Sequence, residues 1–111
     1  MRKIVLIALL AMTVLIAGCV NKEATERESE IESLIQECKN ACKEAIANGI
    51  DLSNGPCLLD PMSNSSWVCD IAHKPREAID NLKENQCKAW HNKTATHFIE
   101  LTPNCELIRV Y

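Results

Sequence analysis

The chain has 111 residues, of which 47% are hydrophobic, carries a net charge of −3, and sets seven cysteines against one Phe, one Tyr and two Trp. That length holds one domain, and with so few aromatic side chains the core needs covalent cross-links. The apolar share excludes a disordered polyelectrolyte, a pI near 5.6 argues against an extended nucleic-acid surface, and collagen-like, coiled-coil-array and multi-domain readings fail on length and composition.

Met1-Arg2-Lys3 is followed by an apolar run from Ile4 to Ile16 and then by Ala17-Gly18-Cys19. Two cations, about thirteen apolar residues and a small-residue end have the layout of a signal peptide, since comfortable spanning takes roughly 20 apolar residues. Ile16-Ala17-Gly18-Cys19 resembles the lipobox of prokaryotic lipoproteins. The resemblance implies that the Cys19 thiol is alkylated by lipid, residues 1–18 are removed, and Cys19 becomes the first residue of a protein anchored to the extracytoplasmic face of the cell membrane. A thioether-linked lipid with an amide-linked acyl chain such as palmitate supplies two hydrophobic anchors, enough for stable attachment. The competing reading is an uncleaved helix from Ile4 to Val20 with Cys19 as an ordinary apolar position. Without Arg2 and Lys3, ten basic residues face fifteen acidic ones, a net charge of −5. Anionic headgroups repel such a surface, so the anchoring falls to the lipid.

Seven cysteines cannot all pair within one chain, but removing Cys19 leaves six: Cys38, Cys42, Cys57, Cys69, Cys87 and Cys105. In an exported domain these predict three disulfides. No Cys-x-x-Cys spacing favours a metal site, and the spacings leave all fifteen connectivities open.

Residues 19–28 are expected to form a short polar tether, and residues 29–111 the folded domain. Ile31, Leu34, Ile35, Cys38, Cys42, Ala45 and Ile46 have the spacing of a helix with one buried stripe. Ser29 with Glu32 predicts its capping box and Asn48-Gly49 its left-handed stop. Cys38 and Cys42, one turn apart, suit two separate bridges to a packed sheet better than a bridge to each other. Gly55-Pro56 then turns the chain into a strand at Cys57-Leu58-Leu59. A loop over 60–65 leads to a second strand from Trp67 to Ala72, a hairpin that would allow a Cys57–Cys69 bridge. Pro75 suits the start of a short second helix carrying Ile79 and Leu82. Thr94 to Leu101 and Cys105 to Tyr111, joined at Pro103-Asn104, form a second hairpin. The expected fold is a small disulfide-stapled α+β domain: an N-terminal helix on an antiparallel sheet of two hairpins, with a short second helix.

Asn64-Ser65-Ser66 and Asn92-Lys93-Thr94 satisfy the glycosylation sequon in predicted loops. The run from Trp67 through His73-Lys74-Pro75-Arg76 to Cys87, with His97-Phe98-Ile99-Glu100, resembles small uncharacterised exported archaeal proteins. That resemblance implies location and fold without a mechanism, and an isoprenoid ether as the lipid in place of an acyl glyceride.

For chemistry, His73, Lys74 and Arg76 around a helix start at Pro75 form a candidate anion site. Asp70, His73, His91, His97 and Glu100 carry metal-ligating groups, but no pair has diagnostic spacing. There is no Gly-x-Ser-x-Gly and no phosphate-cradling loop, and no cofactor is implied. Trp67 and Trp90 are the large apolar groups available for a partner patch, with core packing the stronger reading for Trp67. The sequence therefore leads to a membrane-anchored surface protein whose domain binds a protein or small anionic ligand, with no nucleic acid among its partners. The alternative is an anchored hydrolase or metal-binding domain using His73, His97 and nearby carboxylates.

Overall fold

The computed structural model describes residues 21–111; the signal segment and Cys19 lie outside them. The chain divides into two units, residues 1–31 and residues 32–111.

The first helix, α1, runs Lys22–Ala47, eight residues earlier than the start at residue 30 that a Ser29–Glu32 capping box predicts. Ser29 sits inside it, and the stretch expected as a tether is helical from Lys22. The residues of that stretch are strong helix formers, and Lys22 with Glu26 and Glu23 with Arg27 are spaced for supporting i,i+4 pairs. In the first unit its residues are exposed up to Glu30. In the second unit Leu34, Cys38, Cys42 and Ala45 are buried, the core of the expected stripe, while Ile46 remains 49% exposed. The helix stops as predicted: Gly49 adopts φ 78°, its N–H donates to Ile46 O and the Ile50 N–H donates to Ala45 O. Those two bonds constitute a Schellman motif. No helix among the described residues is long and apolar enough to cross a membrane.

The domain is α+β. Strands β1 (Cys57–Leu59), β2 (Trp67–Ile71), β3 (His97–Leu101) and β4 (Leu107–Val110) form one sheet in the order β1-β2-β3-β4. Both expected hairpins are present, β1 with β2 and β3 with β4. They join through a parallel β2–β3 pair, so the sheet is mixed and not antiparallel throughout. The connection from Ala72 to Thr96 carries the chain back to the end of the sheet where β2 begins, and a strand entering there must run parallel to β2.

Successive residues of a strand face opposite sides, and here both sides are covered. Cys69, Ile71, Ile99 and Leu101 are fully buried on the side of α1, where Cys38 Sγ lies 3.9 Å from Ile99 O. On the other side Val68 and Phe98 form a second cluster with Cys87 and Ala95, against which Cys57, Ala89 and Trp90 pack.

Three disulfides hold this arrangement. Cys38–Cys69 and Cys42–Cys105 tie α1 to β2 and to the β3–β4 turn, the two separate bridges expected of this helix. The third is Cys57–Cys87. The Cys57–Cys69 bridge is thus not formed: Cys69 faces α1, whereas Cys57 faces the segment that covers the opposite side. Pro75 does not open a helix either. Residues Ala78–Asn81 and Lys83–Asn85 are short 3-10 turns, and the second α-helix is one turn at Lys88–His91, α2. A distant side chain starts it: Asp60 Oδ2 and Oδ1 accept the N–H groups of Lys88 (2.8 Å) and Ala89 (3.0 Å).

The connectivity is expected to appear directly in non-reducing peptide mapping as 38–69, 42–105 and 57–87. The 42–105 bridge spans 63 residues, so replacing both cysteines by Ala should lower unfolding free energy by about 4 kcal/mol, measured by denaturant titration.

Candidate ligand-binding site

The strand registers align one residue from each strand. Cys57 pairs with Asp70, Asp70 with Glu100, and Glu100 with Arg109. This row lies on the face away from α1, beside Val68 and Phe98. Two acids thereby stand side by side within the sheet, Glu100 buried and Asp70 half-buried, and a charge withdrawn from water in this way needs partners in the protein.

Glu100, only 7% exposed at its side chain, has two partners. Its Oε2 accepts from Arg76 Nη1 and its Oε1 from Arg109 Nε, each at 3.1 Å. Arg76 is fixed further by Nε donating to Asn81 Oδ1 (2.8 Å) and Nη2 donating to Asp80 O (3.2 Å). The Arg109 guanidinium also lies over the Phe98 ring, 4.8 Å from its centroid, a cation–π contact.

Asp70 lacks such support. Its Oδ1 is buried without a hydrogen-bond partner. Burial pushes its pKa up to about 8, and the neighbouring Glu100 carboxylate adds to the effect. The backbone N–H of Ile71 and the charge of Arg76 oppose that rise, and Asp80 adds to it. At neutral pH the Asp70 carboxyl is therefore largely in its acid form.

Asp70 and Glu100 lie in a cleft of about 120 Å³. Val68, Phe98 and Trp90 give it apolar walls, while Arg76, Arg109 and Gln86 supply polar groups. Trp90 stands edge-on to Phe98 (4.9 Å between centroids) and to Tyr111 (5.6 Å), and Phe98 stacks on Tyr111 at 5.3 Å. Trp90 is thus a wall of the cleft, whereas Trp67 is buried in the core and stacks on His97.

The structure separates the residues expected to act together. His97 pairs with Trp67 at the start of the parallel ladder, and His73 follows its far end. Six residues of extended chain put about 20 Å between those levels. His91 is exposed at the end of α2, so of the five metal-type residues only Asp70 and Glu100 meet. Another grouping, Cys57, Asp60 and Cys87, brings ligand-type atoms together, but its sulfurs are joined to each other and Asp60 caps α2.

The anion site expected at His73, Lys74 and Arg76 is also not formed. The chain fills that place with its own carboxylate. Asp80, 3% exposed, accepts the backbone N–H groups of His73 and Glu77, each at 2.9 Å, and its Oδ1 lies 2.9 Å from His73 Nδ1. Glu77 Oε2 is 2.9 Å from the same ring nitrogen. Burial acts to raise the Asp80 pKa, but the bonds from Glu77 and His73 outweigh it and hold the carboxyl below the ordinary range. Lys74 is exposed, and Arg76 turns to Glu100. Of the sequons, Asn64 is half-buried with its Oδ1 accepting from Ser66 N–H, and Asn92 is exposed.

Sequence reasoning considered Asp70 and Glu100 only as possible partners of histidines. A signal for their unusual placement was present, though not for their pairing: each interrupts an apolar strand, Val68-Cys69-Asp70-Ile71 and Phe98-Ile99-Glu100-Leu101.

Two variants check this geometry. A folded-state pKa above the unfolded value means that the native protein binds the extra proton, so Asp70 reduces stability progressively as pH rises from about 4 to about 8. Asp70→Asn should remove that slope and be more stable than the wild type at pH 8, by on the order of 2 to 4 kcal/mol in thermal or denaturant unfolding. Gly55 has φ +66°, and a Cβ there would lie 2.5 Å from Asp80 Oδ1 and 3.1 Å from Ile71 O. Gly55→Ala should therefore destabilise by about 2 kcal/mol or more, with the His73 ring resonances shifted in NMR spectra. The chain matches no protein-family model, no curated protein and no solved structure.

Proposed function

We propose that this chain is an exported protein held on the extracytoplasmic face of the cell membrane by lipid on Cys19, and that its domain binds a small ligand in the cleft over β2 and β3. The observation that carries the binding reading is Asp70: an acid with an unpartnered buried oxygen that lines a cleft. Such an oxygen costs about 1 to 3 kcal/mol, a penalty that a ligand able to satisfy it would remove. Ligand sites combine apolar walls with a few converging polar groups, and this cleft does so below the roughly 300 to 1,000 Å³ of drug-sized pockets.

The cysteine pairing supports the anchor and the compartment. Disulfides persist in oxidising surroundings outside the cytoplasm, and the three bridges use every cysteine except Cys19. That leaves a single thiol, placed after Ile16-Ala17-Gly18, for lipid. Removal of residues 1–18 would leave the acidic mature chain near the membrane, where lipid and not charge holds it.

Cys19→Ser tests the anchor in cells supplied with labelled lipid precursor. The wild type should incorporate label and begin at residue 19, whereas the variant should incorporate none and retain residues 1–18. Equal labelling of both proteins would overturn the anchor.

A further inference from the structure

We propose that the cleft over β2 and β3 seats the carboxylate of a small organic acid, with the carboxylate between Arg109 and Asp70 and an apolar body against Trp90 and Phe98. This inference rests on the reading of the cleft as the ligand seat and adds the chemical class of the ligand.

The first argument is the inventory of hydrogen-bonding groups. Both oxygens of Glu100 are occupied by guanidinium nitrogens, and every nitrogen of Arg76 has a partner. Arg109 bonds through Nε alone, so among the described residues its Nη1 and Nη2 are without acceptors. Asp70 Oδ1 is also unpartnered, and in its acid form that carboxyl offers an O–H. Gln86 donates through Nε2 to Asp80 O and adds an amide oxygen as acceptor; the remaining free capacity of the cleft is donors, and a planar carboxylate accepts a guanidinium edge and a hydroxyl together.

The second argument is charge. With Asp70 protonated, two guanidinium groups face one carboxylate, a balance of +1. A monoanion brings the cleft to neutrality. An ammonium ligand would raise the balance to +2, and a doubly charged phosphate would reverse it, each in a partly buried site where imbalance is costly. The third argument is shape. Phe98 is fixed beneath Arg109 and beside Trp90, so an apolar body extending from the carboxylate meets aromatic surface within a cleft of about 120 Å³.

The charge balance makes binding pH-dependent. The groups facing Asp70 are Glu100 from β3, Arg76 and Asp80 from the segment after β2, and through Glu100 also Arg109 from β4; the N–H of Ile71 completes its surroundings. Asp70, its pKa pushed up to about 8 by burial and by Glu100, loses its proton between pH 6.5 and 9.5. Its ionisation adds a second carboxylate, beside Glu100, against the ligand, so affinity falls as pH rises.

The test uses the purified full chain in detergent, with NMR titrations of the Trp90 indole and Phe98 resonances by butyrate, benzoate, n-butylamine and inorganic phosphate. Butyrate and benzoate should give saturable shifts confined to the cleft at pH 6.5, with affinity at least tenfold weaker at pH 9.5. Arg109→Lys, at a side chain 56% exposed, should weaken both acids at least tenfold while leaving the amide spectrum of α1 unchanged. If n-butylamine or phosphate shifts the cleft resonances and the acids do not, the ligand class is wrong and the seat stands. If no probe shifts them, both the class and the seat are wrong. Acid binding of equal strength at both pH values on the wild-type protein would overturn the proposal without any variant.

Discussion

The parallel register of β2 and β3 is the constraint on which the rest of the structure depends. It sets Asp70 beside Glu100 on one face and Cys69 beside Ile99 on the other. A slip of one residue between them would invert the faces of one strand, turning its acid toward α1 and its apolar residues toward the cleft, because strand side chains alternate with a period of two. Two contacts fix the register. Cys38 is bonded to Cys69 beneath the sheet, and the Trp67–His97 stack closes the start of the ladder. The floor of the cleft therefore belongs to the sheet, and the segment between β2 and β3 supplies Arg76, Gln86 and Trp90 above it.

The two faces of the sheet divide the energetic work. On the α1 side, apolar burial and two disulfides provide stability with no polar compromise. On the opposite side, Glu100 is neutralised by two arginines drawn from different segments, Arg76 before the 3-10 turns and Arg109 in β4. Truncating a partner of a buried charge usually costs several kcal/mol, so this side holds together as a network. Asp70 is the member left outside it. A carboxyl that lowers stability at neutral pH is a poor structural choice, and its placement in a cleft accords with a role in binding.

The contrast with Asp80 shows how environment alone separates two aspartates ten residues apart. Asp80 is buried more deeply than Asp70, yet two backbone N–H groups and the His73 ring converge on it, and its pKa falls. Asp70 has a neighbouring acid in place of such donors, and its pKa rises. Gly55 completes the Asp80 arrangement because a larger residue would occupy the space of its carboxylate.

The first helix, its stop at Asn48-Gly49, both hairpins and the division of Cys38 and Cys42 between two bridges were legible in the sequence. Each rests on a local period or a turn residue. The earlier start of α1 was obscured because Ser29 and Glu32 have capping spacing inside a longer run of helix formers. Ile79 and Leu82, three apart, suit a 3-10 turn as well as an α-helix, and the Asp60 cap of α2 comes from 28 residues away. Alternation in β2 and β3 indicates which residues share a face but not which strands are neighbours, so the meeting of Asp70 with Glu100 was hidden. The most direct measurement is a carboxyl-carbon NMR titration of Asp70 in the unliganded protein. The account predicts half-protonation near pH 8; a midpoint near the ordinary aspartate value of about 4 would contradict the paired-carboxyl row at its centre.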